Sequence, residues 1–563
     1  MTKEENRKVL LKNKKYFIIK FICSLLIRGF LLVIPLYYSY GIDAITNGNY
    51  DAAYQMIIMF FIFTMLYRGS EVLNQISFYK LYSNLYKTYL DLGIKKTYNN
   101  SVYSLSRFSL SEYSNIMSED FETLSDYYGT LVIRIVEILE AIYIVIYFFT
   151  INTLIGYLTL LICFVVLFIL IFFNNIIAKT NTNRKTRRDR QISVFQELLL
   201  SVKEIKGFNI FNVVKTRTMD KVDDYVKWNN KLNIDKYNLK QLSLGLLDIF
   251  QFISLILGIK LIISGDMTLG VLTIIYSYYS KLNALFLSIV TLFEANINVK
   301  VARKRIHKLF QYATVNYEKQ EEIKGIKGNI EFKNVLYGNR KDPILNDVSF
   351  KINNSSMNVI TGVTGAGKTG IFDLLLRYNR QHVGSILIDD VDISMYNTKQ
   401  ISDIISAVRK VPSFFNMSIR DNLSIFDSNF ENIVYLCKEL KIHDYIMGLS
   451  NGYDTILLTD ATNINSDVKY VLAIIRVLLK RTKIMLFDET FDYLSSDLSS
   501  KVLEILKTMK YDNTIIIITR NKQIIEDNEI DNIILMDDNK IIASGIHVEL
   551  LKQEDYKKIF KKL

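Results

Sequence analysis

Eight consecutive residues, Gly362-Val363-Thr364-Gly365-Ala366-Gly367-Lys368-Thr369, fit the pattern G-x-x-x-x-G-K-[ST] without a mismatch. They follow the β-type run MNVIT and open the helical run TGIFDLLLRY, which is the setting the pattern requires. Glycines let backbone N–H groups approach phosphate oxygens. The lysine reaches the β- and γ-phosphates, and the hydroxyl after it is placed on Mg²⁺. The chemistry expected is therefore phosphate binding through Gly362, Thr364, Gly365, Ala366, Gly367, Lys368, Thr369 and the following Gly370. A second stretch, TKIMLFDE, is an apolar strand that delivers Asp488 to the same end. Asp488 is expected to hold Mg²⁺ through water, together with Thr369. Glu489 follows it and is the candidate to polarise an attacking water.

These motifs need an α/β frame, and the chain supplies one only in its second half. From about residue 328, short β runs (NIEFKNV, SMNVITG, GSILIDD, TKIMLFDE, NTIIIIT) alternate with helical stretches, which predicts an α/β domain with a largely parallel sheet. The first half is different. The 563 residues are 50% hydrophobic and 22% charged with a mean hydropathy of +0.16, and the long apolar runs all fall in the first three hundred. That excludes a single soluble globular enzyme, and it excludes disorder.

Six spans are expected, at about 16–41, 53–76, 130–150, 153–173, 243–264 and 269–293. Each offers roughly the 20 apolar residues needed to cross about 30 Å of hydrocarbon. The basic N-terminus is followed by an apolar stretch too long for a signal-peptide core. The connections GIDAITNGNYDAA, TINT and SGDMTLG carry no Lys or Arg, whereas 80–125 and 178–240 are rich in both. The positive-inside rule then places the short loops outside, and the N-terminus and long connections in the cytoplasm. The same topology accounts for the net charge of +12 without nucleic acid. Helical spacing persists through the long connections, so the spans are expected to continue as helices into the cytoplasm. Three cysteines and four histidines are scattered, with no disulfide framework or metal-ligand spacing. Three prolines amid abundant Lys, Asn, Ile, Tyr and Phe suggest an AT-rich gene, from a low-GC bacterium.

Ionisable residues inside spans are costly, by at least about 2.5–3.5 kcal/mol each, so they face a wet cavity or a partner. Arg28, Arg68, Glu71, Asp248 and Lys281 are such residues. Arg68 and Glu71 are three apart on one helix and can satisfy each other. Arg28 and Lys281 have no local acidic partner, and are the stronger candidates for a substrate cavity. The expected organisation is a polytopic α-helical membrane domain over 1–312, a linker over 313–327 and a phosphate-binding α/β domain over 328–563.

Spans followed by GVTGAGKT and IMLFDE resemble a half-transporter of the ATP-binding cassette exporters. FSLSEYSNIMSED (108–120) and EIKGFNIF (204–211) resemble the family's two intracellular docking segments. SGDMTLGVL (264–272), VGSILIDDVDI (383–393) and ASGIHVELL (543–551) resemble further parts of it, so the likeness covers nearly the whole chain. It implies ATP and Mg²⁺ as cofactors and a multi-pass protein of the cell membrane with its cassette in the cytoplasm. Several family motifs are altered. The adenine-stacking aromatic falls at Asn339, with Tyr337 two residues early. The glutamine linking γ-phosphate to the membrane domain falls at Lys410. The signature Leu-Ser-Gly-Gly-Gln lands on Ile464-Asn465-Ser466-Asp467-Val468, the Asp of the next loop on Ser495, and the switch histidine on Thr519.

In the family two cassettes close head-to-tail around ATP, each signature facing the other chain's phosphate loop. Asp467 would set a negative charge against phosphate, and a homodimer would carry that defect twice. The expectation is therefore a degenerate cassette with impaired hydrolysis, paired with a second half-transporter. The pair would be an ATPase-coupled translocase exporting a peptide, lipid or small amphipathic molecule. No peptidase domain precedes the first span, so leader cleavage is not implied. The alternatives are a homodimeric exporter with slow ATPase, or a nucleotide-binding regulatory or sensing membrane protein with little turnover.

Overall fold

The apolar runs of the first half form six long helices: α1 (Lys14–Thr46), α2 (Tyr50–Asn99), α3 (Phe121–Ile151), α4 (Thr153–Leu200), α5 (Phe211–Ile263) and α6 (Leu269–Phe310). This computed structural model describes residues 2–311, 325–339, 342–379, 382–396, 398–458 and 461–562, so most of the expected linker at 313–327 lies outside the described residues. Among the described residues, α1, α2, α4 and α5 are long and apolar enough to cross a membrane. The spans expected at 130–150 and 269–293 are helical too, as α3 and α6, and α3 falls short of that measure. The reason is composition: α3 carries Arg134, Glu137 and Glu140. The 50 residues of α2 and the 53 of α5 rise about 1.5 Å each, more than twice the hydrocarbon thickness. These helices therefore run well beyond any membrane they cross.

Contacts divide the chain into two units, Met1–Tyr98 with Phe108–Tyr312, and Asn99–Arg107 with Ala313–Leu563. The first unit is cored by Ile144 and Phe148 of α3, Ile162 and Val166 of α4, Leu247 of α5, and Tyr278 and Tyr279 of α6. Its turns are defined by caps. Segment 108–120 folds as a short helix, Leu110–Asn115, capped by Ser109, and a π-helical turn, Ile116–Asp120. Arg305 of α6 grips Asp120 at the end of that turn with two bonds of 2.6 and 2.9 Å. Segment 204–211 lies on the short helix Val202–Gly207 and the residues after it. At the start of α6, the carboxylate of Asp43 on α1 accepts from the Gly270 backbone N–H and from the Thr268 hydroxyl, both at 2.7 Å. A Cβ at Gly270 would collide with that carboxylate and with the Ser39 carbonyl, so only glycine allows this approach.

The second unit holds two sheets rather than the one largely parallel sheet expected. Six strands form the larger, in the order β10-β9-β3-β8-β7-β6. They are β3 (Met357–Gly362), β6 (Ile405–Val408), β7 (Ile484–Asp488), β8 (Thr514–Ile518), β9 (Asn532–Asp537) and β10 (Lys540–Gly545), all parallel except the β9–β10 pair. The runs NIEFKNV and GSILIDD belong instead to an antiparallel sheet of order β2-β1-β4-β5, with β1 (Ile330–Asn339), β2 (Asp342–Ile352), β4 (His382–Ile388) and β5 (Val391–Asp392). Every residue of β3, β7 and β8 is buried, as unbroken apolar strands between covered faces should be. One face packs under α8 (Ser466–Lys480) and α9 (Ser496–Met509), and the other under α7 (Lys368–Leu375).

Candidate functional site

β3 ends at Gly362 and α7 begins at Lys368, so the glycine-rich motif is the loop between them. Gly362, Gly365 and Gly367 have φ of +145°, +87° and +86°, the region glycine favours. A Cβ at Gly362 would strike the Met536 carbonyl oxygen, and one at Gly367 that of Ile344. The loop is thus a close-packed backbone cradle, which fits an approaching phosphate. Lys368 is buried and its Nζ donates to the carbonyls of Gly362 and Val363, both at 2.8 Å. Burial lowers its pKa, and the charge of Glu489 opposes that shift. Thr369 donates its hydroxyl to Asp488 Oδ1 at 3.3 Å. Asp488, at the end of β7, is buried, and burial with the neighbouring Glu489 charge pushes its pKa up to about 6. A hydroxyl and a carboxylate oxygen this close are a donor set suited to Mg²⁺. Ala366 packs in the core below the loop, and Gly370 lies in the first turn of α7, against Ile344 and Tyr337.

Glu489 follows with a left-handed backbone, φ +47°, fixed by its N–H donating to Ile518 at 2.9 Å. Its carboxylate is held by Lys410, Nζ to Oε2 at 2.6 Å. Lys410, the position expected to carry a glutamine, is thus the partner of the candidate base. The hydrogen bond to Glu489, with its charge, raises the pKa of Lys410. A cavity of about 150 Å³ opens between Thr369, Asp373, Tyr378, Arg409, Lys410 and Asp488.

Thr519 is fully buried and donates to Asp492 Oδ1 at 2.5 Å. Its neighbour Arg520 reaches back to the loop, Nη1 to the Thr364 hydroxyl at 3.0 Å. Arg520 and Asp492 escaped the sequence reading; the signal for Arg520 was its place next to Thr519. Tyr337 is buried in the core and presents no open face for stacking. Asn339 closes β1 opposite Asp342, and its side chain lies outside the described residues. Asn465 and Ser466 are exposed at the start of α8, where the Asn465 N–H donates to Tyr445. Asp467 occupies that helix's first turn, where the helix dipole favours an acid. Ser495 is exposed immediately before α9.

In the membrane unit, Arg28, which has no acidic partner nearby in sequence, finds two that are distant in the chain. Its guanidinium binds Glu137 at 2.6 Å and Glu140 at 3.0 Å, both on α3. Glu137 also takes Arg134 at 2.7 Å and the Ser288 hydroxyl at 2.6 Å. The sequence reading passed over Arg134, Glu137 and Glu140, although all three lie in the third expected span. Lys281 sits 5.3 Å from the Tyr278 ring centroid, and its Nζ is buried without a hydrogen-bond partner among the described residues. Arg68 and Glu71 pair at 3.2 Å, and both are exposed. Asp248 accepts from Asn283 at 3.2 Å and is exposed. None of the five predicted residues lines the largely apolar cavity of about 490 Å³ between α3, α4 and α6, whose charged lining is Arg134 and Glu137.

Comparison with known proteins places these two units. Residues 17–286 match the family ABC transporter transmembrane region, and residues 345–492 match the ABC transporter family. The chain is 28% identical over 287 residues to the Putative ABC transporter ATP-binding protein MG015 of Mycoplasma genitalium, covering 50% of this chain and 48% of that one. It is 28% identical over 307 residues to the Leukotoxin translocation ATP-binding protein LktB of Mannheimia haemolytica, covering 54% and 43%. The chain thus spans about half the length of the curated relatives it matches. A bacterial Atm1-family ABC exporter with ATP bound shares the fold, with a TM-score of 0.86 over 99% of this chain and 98% of that one at 19% identity.

Proposed function

On the premise that this chain fuses an ABC transporter transmembrane region to an ABC transporter cassette, the build of an exporter half-transporter, we propose that it is one subunit of an ATP-driven exporter. The observation that carries this reading is the glycine cradle with Thr369 Oγ1 3.3 Å from Asp488 Oδ1, which has the shape and donors for Mg-ATP. Mg²⁺, when bound, supplies positive charge against the β- and γ-phosphates. Lys368 faces the phosphates once it leaves its carbonyl partners, Thr369 and Asp488 hold the metal, and Glu489 takes the proton of the attacking water. Residues 1–312 are the membrane domain, 313–327 the linker and 328–563 the cassette. The reading includes six spans, because the charges that dilute α3 are neutralised by Arg28 of α1.

The altered positions at Asn465-Ser466-Asp467, Ser495 and Thr519 support pairing with a second half-transporter whose motifs are better formed. The apolar cavity with Arg134 and Glu137 in its wall supports a peptide, lipid or small amphipathic substrate. The Lys410–Glu489 pair favours a second reading, a nucleotide-binding subunit with little turnover of its own.

Photolabelling with an ATP analogue tests the binding step: Lys368→Ala loses most of the label. Equal labelling of wild type and variant refutes the phosphate-loop reading. ATPase measured in lipid tests the assembly. The single subunit is nearly silent and its cognate partner raises turnover well above the sum of the two alone. Robust transport-coupled ATPase from the single subunit would point to a homodimer.

A further inference from the structure

The carboxylate best placed to act on water in this cassette already has a cation on it. Lys410 Nζ lies 2.6 Å from Glu489 Oε2, a charge-assisted contact at the short end of its range. The two ends of the pair are unequal. The Glu489 side chain is 10% exposed and the Lys410 side chain 47% exposed. Lys410 is held at its backbone, where the carbonyl accepts from the Tyr470 hydroxyl at 2.8 Å, and Tyr470 in turn stacks on Tyr493 at 4.8 Å. The ammonium is therefore delivered to Glu489 by a fixed main chain on a side chain free to swing. Lys368, the other nearby lysine, is turned towards the carbonyls of its own loop and leaves Glu489 to Lys410.

We propose that Lys410 is a positioning residue that caps Glu489, so that hydrolysis waits for this ion pair to open. A carboxylate whose lone pairs are engaged by an ammonium is a poorer proton acceptor than a free one. A γ-phosphate arriving beside Lys368 gives Lys410 an alternative anion, and its half-exposed side chain can move to it. Lys410 would thereby couple nucleotide arrival to release of the base. This inference rests on the ATP-dependent reading above and adds to it a restraint built into the chain itself.

The test uses the full chain with its cognate partner in lipid, with Lys410→Gln, Lys410→Arg, Glu489→Gln and the Lys410→Gln/Glu489→Gln double variant. Three readouts are needed: binding of a fluorescent ATP analogue, single-turnover hydrolysis, and thermal unfolding without nucleotide. A half-exposed pair is a weak one, so Lys410→Gln is expected to raise the hydrolysis rate about 2–5-fold. Lys410→Arg stays at the wild-type rate. The gain vanishes in the Glu489→Gln background. Without nucleotide, Lys410→Gln lowers the unfolding temperature, and Glu489→Gln added to it restores the loss, because the uncompensated carboxylate has gone. No gain in rate on Lys410→Gln, a gain that survives Glu489→Gln, or strictly additive unfolding shifts would overturn the proposal while ATP binding stands. Absence of analogue binding in all forms overturns the parent reading, and this one with it.

Discussion

The membrane unit gathers two arginines on a pair of acids and the cassette sets three cations around its glycine-rich loop, and the two treat them differently. Around α3, Arg28 and Arg134 share Glu137, Arg28 also holds Glu140, and Ser288 completes the set. The two carboxylates there are almost fully enclosed, at 8% and 1% side-chain exposure. In the cassette, Lys368 is spent on backbone carbonyls, Lys410 holds Glu489, and Arg520 spans Thr364 and Asp492. Here Lys410 and Arg520 remain open to solvent. The first arrangement fixes helices that are distant in sequence. The second can be exchanged for a ligand at Lys410 and Arg520, since either can leave its partner without stranding itself in an apolar core. A buried charge set held by shared bonds is structural; a set with one solvent-facing member per pair is poised.

The contrast can be broken most severely at Glu489. Glu489→Gln in the assembled transporter should lower ATP turnover by about 10²–10⁴, the usual loss for a general base. Unchanged turnover, with loss on the equivalent change in the partner chain, would move hydrolysis to the partner. The membrane cluster comes next. Arg28→Ala leaves two enclosed carboxylates facing one arginine fewer, and should destabilise the membrane unit by about 3–5 kcal/mol. Thermal unfolding in detergent reads this, and Arg28→Lys should recover only part of it, because one ammonium cannot span both carboxylates.

A smaller effect of opposite sign is expected at Asp488. Its folded pKa of about 6 exceeds the unfolded value of about 3.9, so its favourable term exists below pH 4 and is lost as pH rises through 6. Asp488→Asn should therefore stabilise the nucleotide-free protein at pH 7.5 by about 2–3 kcal/mol, with the difference closing by pH 4. A stability gain that does not depend on pH would show that the carboxylate is not the cause. Arg520→Ala should have the least effect, weakening analogue binding about 2–5-fold, as suits a half-exposed contact. A loss as large as that of Lys368→Ala would make Arg520 a principal phosphate ligand.

What the sequence made legible divides along the same line. Apolar runs marked all six long helices, because continuous hydrophobicity is a local property. The loop from Gly362 to Thr369 was readable for the same reason: strand, glycines, lysine and helix are adjacent in the chain. Asp488 and Glu489 came with their strand. The partners of Arg28 did not, since Glu137 and Glu140 are 109 and 112 residues away and become neighbours only when α1 packs on α3. Lys410 read as a missing glutamine, because only the folded sheet, with β6 beside β7, brings it to Glu489. The antiparallel sheet was missed because β1 and β4 carry the same apolar signature as the parallel strands, and pairing direction is set by the connections.

The carboxylate of Asp43 has a consequence of its own. By taking the Gly270 amide and the Thr268 hydroxyl, it pins the end of α1 to the beginning of α6, residues 225 and 227 positions apart in the chain. With no Cβ on Gly270 to hold them off, the two backbones meet there directly. A lever made this way has no play at its tip. Parting α1 from α6 at this end would strip the Asp43 carboxylate of both donors, so a rearrangement of the membrane unit costs least where these two ends stay together.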